Sequence, residues 1–553
     1  MSESALIWIS RLAAVLCLLP IAAVAVAALG GGPSGSGMLM ETVLPRYAWN
    51  TVQLVGLVVI GTGAIGTGAA WLVTTCRFPG VRIFEILLAL PLAFPAYVLA
   101  YAYTDLLDHP GAVQTWLRAT FELGPRDYWF PEIRSLGGAA AMLVLVLYPY
   151  VYLLARAAFL QQSFGGYTAA RVLGHSPWAA FIRVSLPMAR PAIAGGILLA
   201  VMETIADFGT VAHFGVQTFA TGIYQAWFSL GDRAAAAELA LCLLTVALFL
   251  ATLERLQRGA AKRYPPRASG LNHPVQTLAG WRAAAAVFLC AVPVTFGFVL
   301  PVLILGEMAL SADQAVFSRR YLQFMQNSLV LASVAALITM AAAIAIGYAV
   351  RFRPGRPARL VELTAGIGYA VPGGVIAVGL LVPFAALDNG LDAWMRATFD
   401  ISTGLLLTGS IAALVVAYMV RFMAVALSAF DTGITTINPS IDAAARTLGQ
   451  SAGGMIGRVH LPLMRASVWT GMLIVFVDVI KELPATLIMR PFNFDTLAVQ
   501  AHRLASDERL TQAAVPSLII AAFGLVPVIL LCRSIVRARY GEVTPAAEIR
   551  GSS

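Results

Sequence analysis

Long apolar runs separated by short polar segments set the rhythm of this chain. About twelve stretches reach the roughly 20 mostly apolar residues that a helix needs to cross some 30 Å of hydrocarbon. The first runs from Leu12 to Leu29 without a charge. That exceeds the roughly 7–15 residues of a cleavable signal core, so it reads as a retained helix, although the small residues before Gly30 leave cleavage open. The pattern predicts an all-α, polytopic membrane protein.

The rhythm also repeats. A shift of 275 residues places Ala169, Ala170, Arg171, Leu173, Gly174 and Ser176 on Ala444, Ala445, Arg446, Leu448, Gly449 and Ser451. The same shift carries Arg183, Val184, Leu186, Pro187 and Arg190 onto Arg458, Val459, Leu461, Pro462 and Arg465. Upstream, a shift of 277 pairs Asn50 with Asn327 and Pro95 with Pro372. A register kept over such distances marks an internal duplication. It divides the chain into a first repeat at 1–255, a linker at 256–282, a second repeat at 283–540 and a tail at 541–553. With about six spans each, the two repeats are parallel and related by an axis along the membrane normal.

Composition agrees with this reading, because 59% of the 553 residues are hydrophobic and only 12% charged, against roughly 25% charged in soluble domains. The formal charge of +9 could suggest nucleic acid, but the basic residues fall in alternate loops. One set holds Arg77, Arg82, Arg156, Arg171, Arg183, Arg190, the linker arginines and Arg351 to Arg359. The positive-inside rule places that set, and both termini, in the cytoplasm and removes nucleic acid as a partner. Membrane lipid is the surrounding partner. The five cysteines and six histidines show no paired spacing, so neither a disulfide framework nor a zinc site is expected. Nothing points to a bound cofactor.

Two polar loops stand out, Thr168–Ile193 and Ala443–Val468. Each begins with an Ala-rich helical run ending at Gly174 or Gly449, where a glycine adopts positive φ without a Cβ penalty. Ser176 then caps a second helix with Pro177 in its first turn, and Asn438 with Pro439 opens the earlier helix of the second loop. Each loop is a helix, a tight turn and a helix, a rigid element suited to another protein's groove. A phosphate-cradling loop needs G-x-x-x-x-G-K followed by Ser or Thr. The two lysines, Lys262 and Lys481, follow Ala261 and Ile480, so no nucleotide site of that type is present.

Acidic residues inside the apolar runs are the remaining chemistry. Glu203 and Asp207 lie four apart, and the repeat carries them onto Asp478 and Glu482. On continuous helices each pair shares one face, and symmetry brings the four toward the central axis. Charged groups in hydrocarbon cost several kcal/mol and point to function. Two readings stand: pairing with Lys481 and neighbouring helices, or a cation-compatible path, since carboxylates suit hard cations.

The twin loops resemble the cytoplasmic EAA loop of binding-protein-dependent ABC importer permeases, A-A-R-x-L-G followed by L-P. The resemblance implies a translocation subunit without its own ATPase site, in the bacterial inner membrane. Ala170, Arg171, Gly174, Ser176 and Pro187, with Ala445, Arg446, Gly449, Ser451 and Pro462, would then dock onto an ATPase subunit present in two copies. The family's opening glutamate falls at Thr168 and Ala443, and Asp442, one place earlier, is its nearest substitute. The segments E-T-I-A-D-F-G-T-V from Glu203 and K-E-L-P-A-T-L-I-M-R-P-F from Lys481 look like fused permeases of ferric-iron importers. That implies ferric iron delivered by a periplasmic ferric-binding protein, with Glu203, Asp207, Asp478 and Glu482 along its path. Thiamine or another organic cation, a phosphonate, or an ion-gradient-driven carrier are the alternatives. Asp108–Ser135 and Arg490–Arg509 are the exposed candidates for contact with the binding protein.

Overall fold

The computed structural model describes residues 3–30, 43–125, 127–161, 165–261, 276–312, 318–353 and 355–540. Arg126, linker positions 262–275 and the tail at 541–553 lie outside the described residues. Among the described residues, eleven helices are long and apolar enough to cross a membrane, and a bent pair brings the number to as many as twelve. In chain order they are α1 (Ser4–Gly30), α2 (Leu44–Thr75), the bent α3 (Val81–Ala93 with Ala96–Phe121), α4 (Leu136–Leu160), α5 (Pro177–Ala206) and α6 (Arg233–Leu253). There follow α7 (Trp281–Ser311), α8 (Arg319–Phe352), α9 (Gly373–Phe399), α10 (Ala412–Ile434), α11 (Ala452–Lys481) and α12 (Leu510–Leu530). The strands among the described residues are one short parallel pair, Cys76–Arg77 with Gln276–Thr277, which sets the start of α7 beside the end of α2.

The first helix of each half lodges with the other. α1 packs on α8 and α9, and its Leu6 joins a buried cluster with Ala345, Tyr348 and Phe430. In return α7 packs on α2 and α3 of the first half, while α1 also touches α6 and α7 also touches α12 within their own halves. There Tyr103 donates to the Phe296 carbonyl at 2.6 Å, and Phe94 meets Phe298 edge to face at 5.7 Å. Hydropathy gives no partner to an all-round apolar helix, so this exchange has no trace in the periodicity of α1.

Local structure recurs at the 275-residue spacing. The short helices Pro177–Ala180 and Ala452–Met455 are each followed by a π turn, Phe181–Ser185 and Ile456–His460. Those lead into Leu186–Ala206 and Leu461–Lys481. One side-chain tie recurs as well: Asn50 donates to the Gln217 carbonyl at 2.9 Å and Asn327 to the Asp495 carbonyl at 3.0 Å. Arg156 departs from its expected loop position. It sits inside the helix Leu136–Gln161, buried and 3.1 Å from the Glu85 carboxylate, because an ionised pair tolerates the interior where a lone charge does not.

Candidate translocation site and docking elbows

The polar loops fold as two elbows. In the first, the helix Gly165–Val172 ends where His175 N–H reaches the Ala170 carbonyl and Gly174 N–H the Arg171 carbonyl, at 3.0 and 3.1 Å. Gln450 and Gly449 repeat both bonds to Ala445 and Arg446 at 3.0 Å. This is the Schellman pattern, and it needs a left-handed residue: φ is +85° at Gly174 and +73° at Gly449. The next helix of the first elbow is capped as the sequence predicts, Ser176 accepting from Ala179 N–H at 3.1 Å, and Ser451 does the same in the second elbow, accepting from Gly454 N–H at 3.2 Å. Asn438 likewise accepts from Ser440 N–H at 3.0 Å. Ala170 and Ala445 are buried, whereas Arg171, Arg446, Ser176 and Ser451 are exposed. Pro187 and Pro462 each stand in the first turn of the long helix that follows. At equivalent places Leu173 and Leu448 project, 78% and 80% exposed.

Asp442, the nearest substitute for the family's opening glutamate, is engaged within the chain. Its carboxylate turns inward, taking Arg351 Nε at 2.8 Å and Nη2 at 3.0 Å, with His460 Nε2 3.0 Å away. A guanidinium fork held by two further carbonyls, of Ile434 and Ile437, is a stronger partner for a carboxylate than open water. Asp442 therefore braces the second elbow against α8 instead of offering a charge outward.

Both acid-bearing helices break where the sequence reading continued them. Helix Leu186–Ala206 stops with Asp207 as its C-cap in an extended conformation, and Leu461–Lys481 stops at Glu482 in the same way. The cause is local capture. Asp207 accepts from Thr210 N–H and Val211 N–H at 3.1 and 3.2 Å and from the Thr210 hydroxyl at 3.0 Å. Glu482 accepts from Ala485 N–H, Thr486 N–H and the Thr486 hydroxyl at 3.1, 3.2 and 2.9 Å. Each carboxylate starts a new short helix, Gly209–His213 or Pro484–Met489, by the competition through which acidic caps displace helix. The two acids of a pair thus do not share one continuous helix face.

The breaks meet at a cavity of about 170 Å³ between the halves. Glu203, Asp207, Asp478 and Glu482 all line it, as do Tyr97, Tyr150, Tyr369, Arg421 and Lys481. Irregular backbone inside a membrane is tolerated where it faces such a cavity. The carboxylates differ in what holds them. Asp207 and Glu482 are spent largely as caps, and Asp478 pairs with Lys481 at 3.0 Å. Glu203 is hydrogen-bonded by Tyr369 and faces Arg421, Asp478 and Lys481. Among the described residues, no three His, Cys, Asp or Glu side chains gather as a metal-holding group; the four acids share the cavity lining with Arg421 and Lys481.

Arg421 carries no motif and escaped the sequence reading. Gly373 makes room for it: a Cβ there would stand 2.6 Å from Glu482 Oε1 and 2.9 Å from Arg421 Nη1. Two histidines that look scattered in the sequence also converge nearby. Tyr101 lies 3.1 Å from His502 Nδ1 and packs edge-on to His213 at 4.8 Å.

Residues 63–263 match the family described as binding-protein-dependent transport system inner membrane component. The chain is also 25% identical, over 89% of its own length and 91% of the other, to the Fe(3+)-transport system permease protein of Haemophilus influenzae. The chain thus resembles ABC importer permeases over most of its length. A ferric transport system permease protein of Actinobacillus pleuropneumoniae is 22% identical to this chain over 82% of its length and 66% of the relative's. The molybdenum transport system permease protein of Escherichia coli is 26% identical, over 38% of this chain but 93% of itself. A permease of this kind is a multi-pass membrane subunit that works with an ABC ATPase and a periplasmic binding protein.

Proposed function

We propose that this chain is a permease that carries ferric iron, handed over by a periplasmic ferric-binding protein, into the cytoplasm. Two copies of an ATPase subunit sit against the elbows, and both chain termini lie on that side. Repeats 1–255 and 283–540 form the two walls, and nucleotide chemistry stays in the partner, since neither lysine of the chain stands in a phosphate-binding loop. One observation carries the reading. The helix breaks of both halves meet at a single cavity whose lining holds four carboxylates against two cationic side chains, a formal charge of −2. Such a lining attracts a hard cation and repels sulfate or molybdate. The ferric relatives, matching through most of the chain, support iron as that cation. The paired exposed Leu173 and Leu448 support the elbows as the docking surface.

The test is uptake into vesicles holding the reconstituted complex, offered binding proteins loaded in turn with ferric iron, thiamine or a phosphonate. Uptake of ferric iron that needs ATP and the binding protein is expected. Transport of another cargo instead, or ferric uptake driven by an ion gradient with no nucleotide, overturns the reading. Glu203→Gln with Asp478→Asn should cut uptake by at least about tenfold, since those two acids are not engaged as helix caps. Wild-type rates in that variant would remove them from the path.

A further inference from the structure

The two walls of the cavity do not match, and the mismatch is confined to positive charge. Each half supplies two acids, but Arg421 and Lys481 both come from the second half. Ala206 stands 275 residues before Lys481, and shifts from 274 to 278 set Arg421 against Leu147, Val146, Leu145, Val144 or Leu143, all aliphatic. Leu143, Val146 and Leu147 line the same cavity. The two cations are also held loosely. Lys481 has one ion pair, with Asp478 one turn away. Arg421 makes no ion pair among the described residues, its Nη1 is buried without a hydrogen-bond partner, and its guanidinium leans 5.8 Å from the centre of the Phe422 ring. A buried N–H without an acceptor is costly, and Glu482, whose Oε1 flanks the same gap beside Gly373 as that Nη1, is close enough to receive it after a small movement; Glu203 lines the same cavity.

We propose that Arg421 and Lys481 are resident cations that compete with the cargo for the carboxylates and so set its release; this rests on the reading of the cargo as a trivalent cation. Attraction grows with the product of charges, so a carboxylate holds a trivalent ion three times as strongly as a monovalent one at the same distance. A pathway must bind well enough to admit an ion and weakly enough to let it go. Two tethered positive charges repel the same trivalent ion threefold in turn. When it departs, they swing back onto the acids, and the cavity never faces its cargo with all four carboxylates uncompensated. Arg421 would move toward Glu203 and Glu482, Lys481 would return to Asp478, and the first-half wall, which carries no cationic side chain, would offer nothing in exchange. They are specificity-determining residues that act against binding.

The experiment uses the complete transporter, permease with ATPase subunits and binding protein, loaded with radioactive ferric iron. Two quantities are read: iron retained per washed complex, and steady uptake in vesicles. The double variant Arg421→Gln, Lys481→Gln should retain at least about tenfold more iron while uptake falls by a similar factor, because release has become limiting. The charge-keeping variants Arg421→Lys and Lys481→Arg should stay near wild type in both. A merely structural role would lower retention and uptake together. Should the double variant fail to assemble, Lys481→Gln alone carries the test, its side chain being 24% exposed. Unchanged or lower retention, with wild-type ferric uptake intact, overturns this inference alone. Absence of ferric uptake by the wild type overturns the cargo reading and this inference together.

Discussion

The two elbows share a backbone and differ in what fastens them. Behind the first stands an aromatic cluster, Trp71 against Phe181 at 4.9 Å and against Trp178 at 5.7 Å, with Phe159 and Phe181 6.0 Å apart. Behind the second stands a polar lattice in which Arg351 and His460 grip Asp442. His460 stacks on Tyr348 and meets its hydroxyl at 3.0 Å. The positions correspond, since Trp71 precedes Tyr348 by 277 residues and Ser185 precedes His460 by 275. One docking geometry can therefore be held by non-directional packing or by directional charge. Packing tolerates small sliding and ignores pH, whereas a charge lattice keeps one register and depends on protonation.

The difference can be broken one side at a time. Phe181→Ala should have the largest effect, about 3–4 kcal/mol by loss of a buried ring. It should speed amide exchange in the first elbow alone. Arg351→Met comes next, at about 2–3 kcal/mol, because it strands Asp442 in a partly buried site; exchange should now rise in the second elbow and leave the first unchanged. If either variant loosens both elbows equally, the two fasteners are not independent. Acid should act like a milder Arg351→Met. Burial works against the ionised Asp442 carboxyl, but Arg351 and His460 outweigh it and hold the group below its usual range. Its contribution is complete above the unfolded value of about 4 and is lost as pH falls through the lower folded value. Cleavage by an acid-active protease near Leu448 should therefore rise below about pH 4, with no matching rise near Leu173. The smallest change in stability, about 1–2 kcal/mol per site, is expected from Gly174→Val and Gly449→Val. Yet this pair should separate ATP hydrolysis from uptake, because each turn sets the angle between its two helices. Coupled transport at wild-type efficiency would remove the turns from force transmission.

Most of the architecture is legible in the sequence because its determinants are local. Spans follow from hydropathy, and the elbows from Gly174, Gly449, Ser176, Ser451 and Asn438, whose partners lie within five residues. The site was legible only in part. Glu203 and its three companions stand out as charges in apolar surroundings, and they do line one cavity. Their unequal engagement was hidden. The break at Asp207 depends on Thr210 three residues on, and that at Glu482 on Thr486 four residues on, spacings easily lost in an apolar run. The inward turn of Asp442 leaves no local signal because its partner Arg351 is 91 residues away in the chain. Arg421 was passed over because nothing beside it in the chain tells that it faces acids from other helices.

The exchanged helices α1 and α7 carry one more consequence. Because each half's opening segment is seated in its neighbour, the pair is interlaced like two hands with crossed thumbs, and prising it apart would bare both seats to lipid. A nick anywhere between Ala261 and Gln276 should thus leave the two fragments purifying as a single particle. Continuity of the polypeptide here fixes stoichiometry during synthesis, while cohesion afterwards comes from the interlock.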